Sequence, residues 1–259
     1  MTDAVSHLGP WEIDTIVVGD CLDVMRQMPD GCVDLVVTDP PYGITACNWD
    51  CVVPLAPMWA LLTRLAKENA AIVMTACQPF TSALGASNLP MLKYAWTWRK
   101  SRPSGHLNAK RMPLKDTEDV LVFYAKQPTY NPQGIVQCSI TKKNTRGRLT
   151  AECFGSVADK DHLQTRTNYP RQVLDFASVH NVGALHPTQK PVALMEYLIL
   201  TYTNPSDLIF DPFMGSGTTA VAAKKLGRRW FGCDISAEYV ALARERVARV
   251  DGVQLKLLP

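Results

Sequence analysis

No apolar run in the sequence approaches the roughly 18–20 residues needed to cross a bilayer. The opening residues, MTDAVSHLGP, lack the charged and apolar segments of a secretory leader. A soluble, cytoplasmic protein with no membrane partner is therefore expected. The eight cysteines are scattered over 259 residues and form no Cys-x-x-Cys pair, so zinc-ribbon and dithiol-redox patterns drop out. Reduced thiols and no metal site are the expectation. Internal repeats and low-complexity tracts are absent too.

What remains is an ordinary globular composition, 47% hydrophobic and 20% charged, long enough for one real core with a small appended lobe. The net charge is only +3, yet residues 93–150 hold twelve lysines and arginines against three acids, leaving the rest of the chain acidic. A basic segment on an acidic body fits a nucleic-acid footprint, and equally a solvated face.

Short β-branched runs alternate with helical patterns. Ile13–Val18, Val33–Thr38, Ala71–Thr75, Val120–Tyr124, Leu208–Phe210 and Trp230–Cys233 read as strands, and Leu55, Met58, Trp59, Leu62, Leu65 and Ala66 recur at helical spacing. Further helices are expected after Pro191 and from an N-cap at Ser236 to about Val250. The alternation predicts an α/β fold, a mostly parallel mixed sheet covered by helices on both faces. Between about 127 and 185 the periodicity dissolves into Thr, Asn, Gln, Gly and Arg, which reads as an insert.

LIFDPFMGSGTTAVAAKKLGRRWFGCDIS reads as strand, glycine turn, helix, strand. Gly215 and Gly217 let the backbone approach a ligand, and the helix opening at Thr218 turns its free N–H groups toward the turn. Asp234, nineteen residues after Gly215, is placed to accept hydrogen bonds from two ribose hydroxyls. Thr218 stands where a P-loop needs lysine, so triphosphate hydrolysis is disfavoured. A dinucleotide is formally allowed by Gly215, Gly217 and Ala220; a nucleoside without phosphate, such as S-adenosylmethionine, is the third option. The 25 residues after Asp234 suffice for one helix, so the sheet must be completed by the N-terminal strands. That brings the glycine turn close to whatever ends those strands.

One of them ends in Asp39-Pro40-Pro41-Tyr42. A proline-rich turn explains any two of these residues but not all four. An exocyclic amine on a base is a poor nucleophile because its lone pair is delocalised into the ring. The Asp39 carboxylate and the Pro40 carbonyl, its direction fixed by Pro41, supply two acceptors for the amine hydrogens. Tyr42 offers a flat face for a base swung out of a duplex.

With DPFMGSGTTA and HPTQKP (186–191), Asp39-Pro40-Pro41-Tyr42 resembles the β group of DNA amino-methyltransferases, in which the catalytic motif precedes the cofactor motif. The resemblance implies a Rossmann-like methyltransferase fold in circularly permuted order, S-adenosylmethionine as cofactor, and methylation of adenine N6 or cytosine N4 in double-stranded DNA. It implies that Asp39, Pro40, Pro41 and Tyr42 hold the target base. Asp211, Phe213, Gly215, Ser216, Gly217 and Thr218 would surround the methionine portion, Asp234 the ribose and Asp20 the adenine, with Asp39 also among the cofactor contacts. Thr188 and Lys190 would close over the methionine end. Many relatives carry Glu at the position of Asp234. The sequence has no Pro-Cys dipeptide of the kind a C5-cytosine methyltransferase uses.

In the family it resembles, an acid at the first position of the quartet goes more often with adenine than with cytosine, so adenine N6 is favoured here. Residues 1–126 would form the catalytic part, 127–185 a target-recognition insert and 186–259 the cofactor part of the same domain. Arg99, Lys100, Arg102, Lys110, Arg111, Lys142, Lys143, Arg146 and Arg148 are the expected DNA contacts; Trp96 and Trp98, spaced by two, suit a buried strand face at least as well. A short insert suits a short target, with room for a second copy of the chain as a partner and for a companion restriction endonuclease. An RNA or protein-glutamine amino-methyltransferase, a DNA-binding protein without catalysis, and an NAD enzyme are the competing functions.

Overall fold

The computed structural model describes residues 6–45, 50–144, 162–179 and 189–250, with 140–144 and 162 described by their backbone. Two compact units emerge. The larger comprises the described residues up to Asn131 and from Gln172 onward; the smaller is drawn from Pro132–Arg171.

In chain order the larger unit opens with a hairpin of β1 (His7–Leu8) and β2 (Trp11–Glu12), then β3 (Thr15–Val18), α1 (Cys21–Gln27), β4 (Val33–Thr38), α2 (Leu55–Leu65), β5 (Ala66–Ala76) and α3 (Phe80–Ser87). The long β6 (Leu92–Ser104) and β7 (Lys115–Phe123) flank a single 3-10 turn at His106–Asn108. The smaller unit holds β8 (Val136–Asn144) paired antiparallel with β9 (His162–Thr167). The larger unit resumes with β10 (Val173–Phe176), α4 (Val192–Tyr202), β11 (Leu208–Asp211), α5 (Thr218–Lys225), β12 (Arg229–Asp234) and α6 (Ala237–Ala248).

Eight of these strands form one sheet in the order β10-β6-β7-β5-β4-β11-β12-β3. Only β7 runs against the others. The pleat divides its residues between two cores. Leu35, Val37, Ile209, Trp96 and Trp98 pack on one face against Leu198 of α4, Val221 of α5 and Ala243 of α6. Val36, Phe210, Ile72 and Phe231 pack on the other against Met25 of α1, Leu62 of α2 and Leu84 of α3. Of the stripe foreseen on α2, Met58, Trp59, Leu62 and Leu65 are buried and Leu55 is half-buried, while Ala66 lies past the helix and opens β5; fully burying a large apolar side chain contributes about 1.5–3 kcal/mol. Ser236 caps α6, its hydroxyl accepting from Tyr239 N at 3.3 Å.

Strand β4 connects through α2 to β5 on one side, and its other neighbour β11 connects through α5 to β12 on the opposite side. Strand order therefore reverses between β4 and β11, where Ile209 lies opposite Leu35 and Phe210 opposite Val36. Open parallel sheets bind ligands beyond the carboxyl ends of strands at such a reversal.

Several strands, namely β1, β2, β8, β9, β10 and the outer half of β6, went unforeseen in the sequence. The outer half of β6, RKSRPS, is polar on both faces, so it read as a basic loop. β10 is a four-residue edge strand with Val173 and Asp175 exposed, too short for alternation to register. β8 and β9 fall in the stretch read as patternless. Among the described residues no helix is long and apolar enough to cross a membrane.

Candidate active site

At the carboxyl end of β4 the chain enters Asp39-Pro40-Pro41-Tyr42. Tyr42 Oη donates to Asp39 Oδ1 at 2.6 Å and lies 3.0 Å from Thr75 Oγ1 at the end of β5; the Thr75 hydroxyl also donates to Oδ1. Lys190 Nζ donates to the other oxygen, Oδ2, at 2.6 Å. Burial, then the Asp39 and Glu118 carboxylates, push the Tyr42 phenol well above its ordinary pKa and keep it a donor. Its ring is stacked on Phe80, centroids 5.3 Å apart at 23°. The next turn is tied down by Asp50, a buried carboxylate that accepts from the backbone N–H groups of Gly43, Ile44 and Thr45 at 2.8, 2.9 and 2.7 Å. Burial would raise its pKa, but these bonds and the Thr45 hydroxyl outweigh it and hold the carboxyl below its ordinary value.

Lys190 is 6% exposed and bridges two acids, with Glu118 Oε2 3.4 Å from its ammonium. Burial favours the neutral amine, yet the charges of Asp39 and Glu118 prevail and lift its pKa above the ordinary lysine value. Glu118 Oε1 pairs with Lys100 Nζ at 2.5 Å, while Oε2 carries no hydrogen bond of normal geometry. The result is an alternating row of charges: Asp39, Lys190, Glu118, Lys100.

The glycine turn follows β11. Gly215 and Gly217 sit in the left-handed region (φ 51° and 81°), and a Cβ on Gly217 would fall 2.7 Å from that of Ala243. Asp234 Oδ2 accepts from Gly215 N at 2.8 Å and Oδ1 from Ser236 N at 2.9 Å. A carboxylate oxygen has two lone pairs, so each keeps one toward a ligand. Behind the turn Arg246 Nη1 donates to Ser216 O, to Ser216 Oγ at 2.9 Å and to Thr218 Oγ1 at 3.4 Å. Asp211 is buried, accepting from the Thr38 hydroxyl at 2.5 Å and Phe213 N at 3.0 Å, and burial pushes its pKa up to about 6. Asp20 caps α1, Oδ1 accepting from Leu22 N at 2.8 Å and Asp23 N at 3.3 Å.

The acidic quartet, Lys190 and the glycine turn meet at one cavity of about 1320 Å³, lined by Asp20, Asp39, Pro40, Pro41, Tyr42, Lys190, Asp211, Phe213, Gly215, Ser216, Thr218 and Asp234. Single-ligand sites usually occupy roughly 300–1,000 Å³, so this one has room for a nucleoside and a second reactant. Gly217 shapes the turn without lining the cavity.

The structure gives several of these side chains partners that the sequence did not state. Lys190, expected near the methionine end, is bonded to Asp39. Lys100 is turned inward to Glu118, its ammonium also 5.7 Å from the Trp98 ring centroid, and Arg99 forms a bidentate pair with Asp175 at 2.5 and 2.9 Å. Both therefore have partners within the chain. Arg102, Lys110 and Arg111 are exposed. Lys142 and Lys143 are in β8, where only the backbone is described; Thr188, Arg146 and Arg148 lie outside the described residues. Thr75, Glu118 and Arg246 were missed. Glu118 had a signal: it shares the face of β7 with buried Val120 and Val122, an odd place for an acid.

A family model described as DNA methylase matches residues 33–245. Among curated proteins, the Type II methyltransferase M1.MboII of Moraxella bovis is 32% identical over 263 residues, covering 88% of this chain and 94% of its own. The Type II methyltransferase M.BglII of Bacillus subtilis is 30% identical over 261 residues, covering 89% and 68%. Among solved structures, the M1.HpyAVI–SAM complex superposes with a TM-score of 0.63 at 26% identity, over 90% of this chain and 98% of that one.

Proposed function

The chain belongs to the DNA methylase family of amino-methyltransferases acting on adenine N6 or cytosine N4, and from that premise we propose that it methylates adenine N6 in a short sequence of duplex DNA. The observation that carries the reading is that Asp39 and the Gly215 turn face the same cavity. Adenine is preferred over cytosine because the quartet begins with an acid.

The cofactor of this family is S-adenosylmethionine, which supplies a methyl group on a sulfonium when bound. The chain fits it: the turn at Gly215 and Gly217 leaves backbone open to close approach, and Asp234 retains one acceptor position per oxygen for a ribose. Asp20 and Phe213 line the same cavity. No phosphate-binding lysine follows the turn, in keeping with a nucleoside ligand.

Counting lone pairs orients the base. Asp39 Oδ1 already receives two hydroxyl donors, whereas Oδ2 receives only Lys190, so one position on Oδ2 remains for an amine hydrogen. The Pro40 carbonyl takes the second. Two acceptors draw the amine out of conjugation and stabilise the positive charge that builds on nitrogen as the new N–C bond forms. The nitrogen then releases a proton, for which Oδ2 is the adjacent base. Tyr42, backed by Phe80 and held by Asp39, stacks on the base. Arg102, Lys110 and Arg111 contact phosphate, and the unit around β8 and β9 reads the target sequence.

Radiolabelled methyl transfer from S-adenosylmethionine to duplex DNA, RNA and a protein extract, run side by side, tests the substrate class. Hydrolysis of the modified DNA should yield N6-methyladenosine's deoxy form. N4-methyldeoxycytidine would overturn the choice of base, and labelling of RNA or protein alone would overturn DNA as substrate.

A further inference from the structure

The hairpin of β6 and β7 carries Lys100 and Glu118 into the cavity and then runs on into solvent, every residue from 101 to 113 being exposed. Its tip is the turn His106–Asn108, entered through Gly105 in the left-handed region (φ 90°). His106 and Asn108 line the cavity that holds Asp39. Leu107, between them, does not: it projects outward and is 101% exposed. Single exposed leucines are ordinary on protein surfaces. This one stands on the turn at the rim of the active site, while Met112, 50% exposed, lines the cavity itself. Arg102, Lys110 and Arg111 surround it in sequence, and none of the three is in an ion pair among the described residues. An apolar tip flanked in sequence by cations that form no ion pair among the described residues suits an apolar base stack between two rows of phosphates.

Moving a base from the duplex into a protein cavity leaves a gap in the stack, and an apolar side chain inserted there disfavours the base's return. We propose that Leu107 is this wedge, entering the duplex at the target position while Arg102, Lys110 and Arg111 hold the flanking phosphates. The inference rests on the DNA-methylating reading above. Leucine suits the role because its isobutyl group fills space without demanding a hydrogen-bond partner. Since it packs against nothing in the protein, its orientation costs the fold nothing.

The test begins by locating the modified site through sequencing of DNA from cells that express the protein. Short duplexes containing that site are then prepared in two forms, one fully paired and one with an abasic position opposite the target, where extrusion is easy. On the paired duplex Leu107→Ala should lower kcat/KM about tenfold or more; on the abasic duplex it should stay within about threefold of wild type. Leu107→Met should restore activity on the paired duplex, and both variants should unfold at the wild-type temperature. Unchanged activity of Leu107→Ala on the paired duplex overturns the wedge. So does an equal loss on both duplexes, which would mark a general contact. Wild-type protein that methylates neither duplex overturns the functional reading itself, and the wedge with it; active wild type with an insensitive Leu107→Ala overturns only the wedge.

Discussion

Lys190 Nζ lies 2.6 Å from Asp39 Oδ2 and 3.4 Å from Glu118 Oε2, so one buried ammonium is shared unequally between two carboxylates that face the same cavity. The sharing matters because Oδ2 is the oxygen with acceptor capacity left for an incoming amine. A lysine held by Asp39 alone would compete with that amine more strongly than one also drawn toward Glu118.

Replacing Asp39 with Ala removes the acceptor while leaving Lys190 a partner in Glu118. Methyl transfer should fall by at least about 10²–10³-fold, the scale for losing a preorganised charge-stabilising group. Affinity for S-adenosylmethionine, measured by calorimetry, should change little, because the Gly215 turn is fixed by Asp234 and Arg246 independently of Asp39. Full turnover in this variant would remove Asp39 from the mechanism.

Glu118 acts through Lys190, as a positioning residue. Glu118→Gln takes away one of the two charges that raise the Lys190 pKa and leaves the ammonium to Asp39. The expected outcome is a kcat roughly tenfold lower with an unchanged KM for S-adenosylmethionine. The alkaline limb of the pH–rate profile should also move to lower pH, because the lysine loses its proton sooner; a uniformly scaled profile would mean Glu118 only supports the fold.

The motifs at Asp39 and Gly215 were legible because each is a local string whose chemistry needs only adjacent residues. Their meeting was legible too, since a sheet begun at Leu208 had to borrow strands from the N-terminus. Glu118 and Lys190 were harder. Lys190 reaches Asp39 across 151 positions in sequence, and which carboxylate it meets depends on β7 being reversed in the sheet, which no local pattern states. Lys100 looked like a DNA contact for a related reason: charge is readable from sequence, but an acid on the neighbouring strand that neutralises it is not.

Asp211 should make stability depend on pH in the less usual direction. Its pKa in the folded protein, pushed up to about 6 by burial, exceeds the ordinary 3.8, so folding favours the protonated acid. Its contribution is fully present below about pH 4 and is lost as pH rises through 6, a change on the order of 2–3 kcal/mol. Asp211→Asn keeps an oxygen for Phe213 N and the Thr38 hydroxyl and abolishes the titration. Denaturant unfolding of both proteins across this window should show the variant gaining on wild type as pH rises; parallel curves would show that Asp211 ionises freely.

Gly217 combines a left-handed backbone with a tight approach to α6. Gly217→Ala should cost about 1–3 kcal/mol, from strain at φ 81° plus the contact with Ala243. Adding Ala243→Gly removes the Cβ–Cβ contact but leaves the Cα of residue 243 at 3.0 Å and the dihedral unchanged, so the double variant should recover only part of the loss. Chemical denaturation of the four proteins gives the coupling, and strict additivity would show that the two Cβ atoms do not meet.

Arg246 holds the glycine turn from behind through Ser216 and Thr218, and burial lowers its pKa. Arg246→Met keeps much of the side chain's bulk and removes the three hydrogen bonds, so the turn should become looser while α6 stays packed through Val240, Ala243 and Val247. Hydrogen bonds from a charged donor contribute about 1.5–3 kcal/mol each in the folded state, and only the part that orders the turn for the cofactor should appear in binding. The expected result is about tenfold weaker binding of S-adenosylmethionine, read as a raised KM. At saturating cofactor kcat should be near wild type, since Asp39, Lys190 and Tyr42 are untouched. A fall in kcat at unchanged KM would place Arg246 in the chemical step instead of behind the cofactor turn.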